Sequence, residues 1–134
     1  MFMTQEADNA VRIVHNLASH AKRRDAKTIP EETSVSLRFS LKILRKLVES
    51  GIVRSYIGKY GGYELSKAAD EITLGAVIRA VDGPFMINRC LREEHFCSCE
   101  AGCSFREIYA DISNTISERL DNYTFKDFLP KMVT

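Results

Sequence analysis

Residues 36–65 read SLRFSLKILRKLVESGIVRSYIGKYGGYEL, a segment in which a helical pattern gives way to a β pattern. Apolar side chains at three- and four-residue spacing predict a helix over residues 36–50. Its predicted inward stripe consists of Phe39, Ile43, Leu44 and Leu47. Two β-rich segments follow, at 52–57 and 63–65, and the glycines between them are those that a tight hairpin turn requires. We therefore predict a helix joined directly to a β-hairpin.

Helical patterns also lie on both sides of this unit. On the N-terminal side, residues 4–20 predict an amphipathic helix, and Thr28 to Glu31 fits the capping box of a short second helix. On the C-terminal side, a helix is predicted over Leu74–Val81, and Ser104 to Glu107 is predicted to form a second capping box opening a helix to about residue 122. The order helix, helix, turn, helix, hairpin is that of a winged helix-turn-helix, a mostly α fold with a small β-hairpin wing. In this fold the helix after the turn enters the major groove of DNA.

The composition excludes several classes of protein. The chain has 134 residues, 45% of them hydrophobic and 28% charged, which suits one globular domain and argues against a disordered chain. No apolar run is long enough to cross a membrane, and the first residues lack the pattern of a secretory signal, so a cytoplasmic protein is expected. The sequence holds no nucleophile–base constellation, no H-E-x-x-H motif and no dinucleotide fingerprint. We therefore expect that the protein is not an enzyme.

Charge is divided unevenly along the chain. Residues 1–67 contain 12 Lys and Arg against 7 Asp and Glu, whereas residues 68–134 contain 7 against 11. The run KRRDAK at 22–27 is interpreted as a polar connection. The face of the predicted third helix opposite its apolar stripe carries Arg38, Leu41, Lys42 and Arg45. In a DNA-binding protein, such a face supplies the phosphate contacts on which affinity depends. The alternative interpretation is a small α+β domain whose basic face is simply solvated.

The last predicted helix has an apolar stripe of its own. It consists of Phe105, Ile108, Ile112, Ile116 and Leu120. Two arrangements would bury this stripe: packing against the same chain, or packing against a second copy in a twofold dimer, which suits an operator with dyad symmetry. The tail adds further apolar side chains that are expected to dock, namely Phe125, Phe128 and Leu129.

All four cysteines fall in one segment, CLREEHFCSCEAGC, from Cys90 to Cys103. The segment is too polar to form a core element, so its thiols are expected to have a chemical role. Thiolates are the protein ligands of iron–sulfur clusters. The alternatives are a zinc site completed by His95 and a direct thiol redox switch, although Cys97-x-Cys99 is tighter than the usual zinc spacing.

Several motifs together resemble the Rrf-type winged-helix transcriptional regulators, the family of IscR, NsrR, RirA and CymR. They are F-x-L-K-I-L-R-K-L at 39–47, G-I-V-x-S-x-x-G-x-x-G-G-Y-x-L at 51–65, I-T-L at 72–74 and I-x-A-V at 78–81. The likeness extends from about residue 4 to 122, and the hairpin motif is its most specific part. It implies a homodimeric bacterial DNA-binding regulator, usually a repressor, that binds a dyad-symmetric operator in double-stranded DNA.

With this interpretation, DNA contacts are expected in two places. Those on the third helix are Ser36, Arg38, Leu41, Lys42 and Arg45, and those on the hairpin are Arg54, Lys59 and Tyr60. Two positions depart from the family. Ile57 stands where Arg usually precedes the first wing glycine, which shifts the expected minor-groove contact to Arg54 or Lys59. Leu41 occupies a position that is often acidic, so a different operator sequence is expected.

The same resemblance implies that three cysteines hold an iron–sulfur cluster, of the 2Fe-2S or 4Fe-4S type. They are Cys90, Cys97 and Cys103. The fourth ligand varies in the family, and Asp8 lies in a motif that resembles the family's first helix. Glu6, His95 and the extra thiol of Cys99 compete for this role. The signal would be iron–sulfur, redox or nitric oxide status; a cluster-free thiol-redox or protein-binding regulator, like CymR, and a zinc-binding regulator are the alternatives.

These predictions divide the chain into three parts. Residues 1–83 form the winged helix-turn-helix, residues 84–103 the cysteine-rich sensor loop, and residues 104–134 the dimerisation helix and tail. Because the loop joins the start of the long C-terminal helix, gain or loss of a cluster is expected to change the spacing of the two DNA-binding heads.

Overall fold

The computed structural model describes residues 3–20, 22–88, 91 and 103–129. The α-helices in this part of the chain are α1 (Gln5–Ala18), α2 (Thr28–Thr33), α3 (Leu37–Glu49), α4 (Leu74–Asp82) and α5 (Ser104–Asp121). The strands β1 (Val53–Tyr56) and β2 (Gly62–Leu65) form an antiparallel hairpin, and short 3₁₀ turns lie at Ala69–Glu71 and Phe125–Phe128. None of these helices has the length and hydropathy that crossing a bilayer requires. The order of elements agrees with the predicted winged helix-turn-helix.

One hydrophobic core is formed by the four helices α1, α2, α3 and α4 together with the base of the hairpin. Its fully buried side chains include Ile13, Val14, Ile29, Ile43, Leu44, Leu47, Val53 and Val77. Phe125 from the tail is 1% exposed and belongs to the same core. Backbone hydrogen bonds from Leu74 N to Tyr123 O (2.8 Å) and from Phe125 N to Ile72 O (3.1 Å) hold the tail against the start of α4. The expected docking of the tail is therefore confirmed for Phe125.

The helix ends follow local side-chain chemistry. The hydroxyls of Thr4, Ser36 and Thr73 accept hydrogen bonds from backbone N–H groups three residues later, at 3.0, 3.3 and 3.0 Å. Each such N-cap stabilises a helix by about 1 kcal/mol. Gly51 and Gly83 have φ values of 82° and 78°, and they end α3 and α4 as the sequence predicts.

Both predicted capping boxes are wrong by one residue. Thr28 and Ser104 are the first residues inside their helices, and the N-cap positions are Lys27 and Cys103, which make no side-chain capping bond. The hydroxyl of Thr28 donates instead to the carbonyl of Asp25 at 2.7 Å. A hydroxyl that already lies within the first helical turn is no longer placed to accept from the N–H groups of that turn.

Phe39 was predicted to lie in the buried stripe of α3, and this prediction is wrong, because Phe39 is 56% exposed. The buried positions of α3 are Ser40, Ile43, Leu44 and Leu47. Phe39 precedes Ser40 by about 100° of helix rotation, which moves its side chain to the flank. Ser40 is fully buried, and its hydroxyl donates to the carbonyl of Val35 at 3.4 Å.

Helix α5 is attached to the rest of the chain by polar side chains, and only the C-terminal part of its apolar stripe is half-buried. Ser113 is buried, and its hydroxyl accepts from Ile87 N at 3.1 Å and donates to Tyr109 O at 2.7 Å. Near the end of the helix, Asp121 accepts from Thr73 Oγ1 at 3.2 Å and from Arg79 at 2.8 Å. The N-terminal half of the stripe stays exposed: Phe105 by 69%, Ile108 by 54% and Ile112 by 41%.

Candidate nucleic-acid interface

The outward face of α3 brings together the DNA-contact residues that were predicted on that helix. Because Ser40, Ile43, Leu44 and Leu47 occupy the buried side, a rotation of about 100° per residue carries the basic positions to the opposite side. Arg38, Leu41, Lys42 and Arg45 are all exposed there. Ser36 lies at the start of the helix, where its hydroxyl is engaged as the N-cap.

The charges on this face are only partly offset by neighbouring carboxylates. Glu6 on α1 has its Oε1 atom 2.8 Å from Lys46 Nζ and 4.0 Å from Lys42 Nζ. Within the described residues, Arg38 and Arg45 form no ion pair. The two arginines are therefore the cations on α3 that are best placed to meet an external polyanion.

The hairpin carries the second predicted group. Arg54 is exposed on β1, opposite Glu64 in the strand register. The turn beyond β1 is closed by a hydrogen bond from Gly61 N to Gly58 O at 3.0 Å, and Gly58 has a φ of 102°. Three side chains of this turn stand clear of the core: Ile57, Lys59 and Tyr60. The side chain of Ile57 has no polar group. In the wing tip, the turn at 57–61, only Lys59 and Tyr60 therefore have side chains that can form hydrogen bonds.

Residues 22–25, which were interpreted from the sequence as a polar connection, run beside β2 and pair with it through one residue. Arg24 N donates to Tyr63 O at 2.9 Å, and Tyr63 N donates to Arg24 O at 2.8 Å. Gly62 permits this pairing, because a Cβ atom there would lie 2.5 Å from the Arg24 carbonyl oxygen. Sequence reasoning missed this segment as part of the interface, although its three consecutive basic residues were an available signal.

The cysteine segment falls largely outside the described residues. Cys90, Cys97 and Cys99 lie outside them, as does His95. Cys103 is half-buried at the N-cap of α5, and within the described residues its thiol forms neither a disulfide nor a capping hydrogen bond. The positive end of the helix dipole favours a thiolate at such a position, which suits a metal ligand. In the part of the chain that the structure describes, no three His, Cys, Asp or Glu side chains gather into a metal site.

The two acidic candidates for a fourth ligand have different surroundings. Asp8 Oδ2 lies 3.2 Å from Arg12 Nε, four residues further along α1, and its side chain is 41% exposed. An exposed pair of this kind contributes only about 0.3–0.5 kcal/mol, so Asp8 could exchange its partner readily. Glu6 instead joins α1 to Lys46 of α3. Of the two carboxylates, Asp8 is the more available.

Comparison with known families gives a match over nearly the whole chain. The Rrf2 family model, described as an iron-dependent transcriptional regulator, matches residues 3–131. The HTH-type transcriptional regulator IscR of Erwinia tasmaniensis is 32% identical over 133 residues, which cover 96% of this chain and 79% of that protein.

Solved structures agree with this match. CymR, the global cysteine regulator of B. subtilis, superposes with a TM-score of 0.75 and 27% identity, covering 96% of this chain and 95% of that chain. IscR of T. potens superposes with a TM-score of 0.74 over all of this chain and 93% of that chain; at 21% identity this likeness concerns the fold alone. The predicted winged-helix fold is thereby confirmed.

Proposed function

The chain belongs to the Rrf2 family of transcriptional regulators, whose relatives here are regulators and not enzymes, and on that premise we propose that it is a homodimeric, cytoplasmic repressor of bacterial genes. It binds a dyad-symmetric operator in double-stranded DNA. The observation that carries the DNA-binding part of this proposal is the exposed basic face of α3, where Arg38 and Arg45 form no ion pair within the described residues.

In this proposal α3 lies in the major groove. Arg38 is the second residue of α3. Because the N-terminal residues of a recognition helix contact base edges, it is the candidate for specific hydrogen bonds. Lys42 and Arg45, further along the same face, contact phosphates. The hairpin lies beside them, with Arg54, Lys59 and Tyr60 against the backbone or the neighbouring minor groove.

The DNA-binding part is tested by Arg45→Ala and Arg38→Ala, assayed against an operator selected from random duplexes. Arg45→Ala should weaken binding to all duplexes and reduce the slope of log K against log salt by about one unit, because one phosphate contact is lost. Arg38→Ala should cost about 1–3 kcal/mol on the selected operator only. Lys126→Ala, which removes an exposed cation from the tail, is the control. Unchanged affinity in both arginine variants would show that α3 is not docked in this way.

For the sensor, the proposal assigns an iron–sulfur cluster to Cys90, Cys97 and Cys103, with Asp8 or Cys99 as the fourth ligand. The donor set fits such a group, because four thiols lie within fourteen residues and the Cys103 thiol is not used in capping. When bound, a cluster supplies a centre whose charge and stability respond to iron, oxidants or nitric oxide. Cys103 joins this centre directly to α5, so its ligation would bear on the position of that helix.

The sensor is tested by anaerobic purification with absorption spectra and with iron and sulfide analysis. Cys90→Ser, Cys97→Ser and Cys103→Ser should each lower cluster content, because thiolates hold the iron. Of Cys99→Ser and Asp8→Ala, one should lower it and the other should leave it unchanged. Stoichiometric zinc in the native protein would favour a zinc-binding regulator. Absence of any metal would favour a thiol-redox or protein-binding regulator, to which the likeness to CymR also points.

A further inference from the structure

Arg23 makes three contacts with the hairpin from the segment that runs beside it. Its guanidinium carbon lies 3.2 Å from the centroid of the Tyr56 ring. Its Nε atom lies 3.8 Å from Glu64 Oε2. Its Nη1 group donates to the carbonyl oxygen of Tyr60 at 3.4 Å. One side chain therefore reaches β1, β2 and the turn between them.

Tyr56 and Glu64, which both contact Arg23, also contact each other. Tyr56 on β1 donates its hydroxyl to Glu64 Oε1 on β2 at 2.6 Å. Glu64 thus holds the phenol with one oxygen and faces Arg23 with the other. The result is a connected set of three side chains across the hairpin, with a fourth connection to the backbone of Tyr60.

The hairpin needs support of this kind because it is small. Each strand has four residues, and an isolated two-stranded hairpin is marginally stable in water. Of the residues at its tip, Ile57 is completely exposed and Tyr60 is 79% exposed, so the hydrophobic core does not hold the turn. The backbone pair between Arg24 and Tyr63 fixes the start of β2, but it includes no residue of the turn at 57–61.

We propose that Arg23 is a positioning residue for DNA binding, which sets the orientation of the wing tip and hence of Lys59 and Tyr60. This inference rests on the proposed function. A guanidinium suits the role because it is planar, stacks flat on an aromatic ring and presents its donors in a fixed fork. A lysine ammonium also attracts an aromatic ring, but it is not planar and its donors have no fixed fork. The charge of Arg23 is already directed at a ring, a carboxylate and a carbonyl. This distinguishes it from Arg38 and Arg45, which form no ion pair in the part of the chain that the structure describes.

The experiment compares Arg23→Lys with Arg23→Gln, with Lys22→Gln as a control that removes an adjacent exposed charge. Operator affinity is measured over a range of salt, and hydrogen exchange is measured at the amides of Gly61 and Tyr63. Both Arg23 variants should lose about tenfold in affinity, as expected for one lost stacked and hydrogen-bonded contact. Both should also exchange faster at Gly61, whereas Lys22→Gln should not. Tyr56→Leu, which removes the ring, should reproduce the effect of Arg23→Lys.

A double variant separates positioning from direct contact. If Arg23 acts through the turn, Lys59→Ala should weaken binding in the native background and have little further effect in Arg23→Gln. Native affinity and native exchange in Arg23→Lys would overturn the proposal, because they would show that only the charge matters. Absence of salt-dependent duplex binding by the native protein would instead refute the proposed function, and the exchange measurements would still show whether Arg23 orders the turn.

Discussion

Leu41 lies on the outward face of α3, one helical turn after Leu37, and both side chains are 42% exposed. Neither side chain can form a hydrogen bond, and in the proposed function the flanking Arg38 and Arg45 supply the charge that attracts DNA. In the major groove, an apolar side chain finds its counterpart in the 5-methyl group of thymine. A single leucine at this position therefore favours thymine where an acidic residue would favour the amino group of cytosine.

We expect that the selected operator has a thymine opposite Leu41. Replacing it by deoxyuridine, which removes only the methyl group, should weaken native binding by about 0.8 kcal/mol, roughly fourfold. Leu41→Ala should bind the two duplexes equally. Deoxyuridine outside the footprint serves as the control, and an equal loss in Leu41→Ala would contradict the contact.

At the scale of elements, the carboxylate of Glu32 joins the outer side of α2 to neighbouring segments, in addition to the burial of Ile29 in the core. Asn16 of α1 donates to Glu32 Oε2 at 2.6 Å, Arg24 at the wing edge pairs with Oε1, and His20 Nε2 lies 3.5 Å from Oε2. Helix α2 has six residues and no side-chain N-cap, so it depends on tertiary contacts. The hydrogen bond from Asn16, and then that from Arg24, lower the pKa of Glu32 below its ordinary value.

Glu32→Gln should therefore destabilise the fold in a pH-dependent way. A lowered pKa in the folded state means that the carboxylate stabilises the protein above its ordinary pKa of 4.5 and loses this effect as the pH falls through the folded value. The difference in urea midpoint between native protein and variant should shrink as the pH falls below 4.5. Glu31→Gln, at the neighbouring exposed carboxylate, should show no such difference; equal curves for the two variants would disprove the role of Glu32.

At the scale of the whole molecule, α5 combines a polar attachment to its own chain with an exposed apolar stripe. Asp121 attaches the helix to Arg79 of α4 and Ser113 attaches it to Ile87, while Phe105, Ile108 and Ile112 remain exposed. A row of exposed apolar side chains along a helix is typical of a surface that binds a partner. A second α5 related by a twofold axis would cover it and would place two α3 helices on one operator.

Ile108→Glu should therefore weaken self-association without unfolding the chain, because the side chain is exposed within one subunit. We expect the dimer dissociation constant to rise at least about tenfold, since a twofold axis places two substitutions in each interface. Sedimentation gives the oligomeric state, and circular dichroism checks the helical content. Asn114→Asp, at an exposed polar position on the same helix, is the matched control. A native protein that is monomeric at micromolar concentration would contradict this arrangement.

Much of the fold follows from interactions between residues that are close in the sequence. Hydroxyls at Thr4, Ser36 and Thr73 start helices, and Gly51 ends one, because each acts on backbone groups a few residues away. The glycine-rich turn specifies the hairpin for the same reason. The basic face of α3 was also predictable, since helical rotation alone separates Arg38, Lys42 and Arg45 from the apolar stripe.

Other features depend on which elements meet, and that only the tertiary structure decides. Local periodicity did not reveal that Ser40 rather than Phe39 is buried on α3, or that Ser113 is buried on α5. The contacts of Arg23 with the wing join residues more than thirty positions apart. A run of basic residues does not indicate which aromatic ring will lie against it. The cluster ligands stay a prediction, because Cys90, Cys97 and Cys99 lie outside the described residues. Short-range chemistry thus determines where elements begin, end and turn, whereas long-range packing selects the side that each element buries.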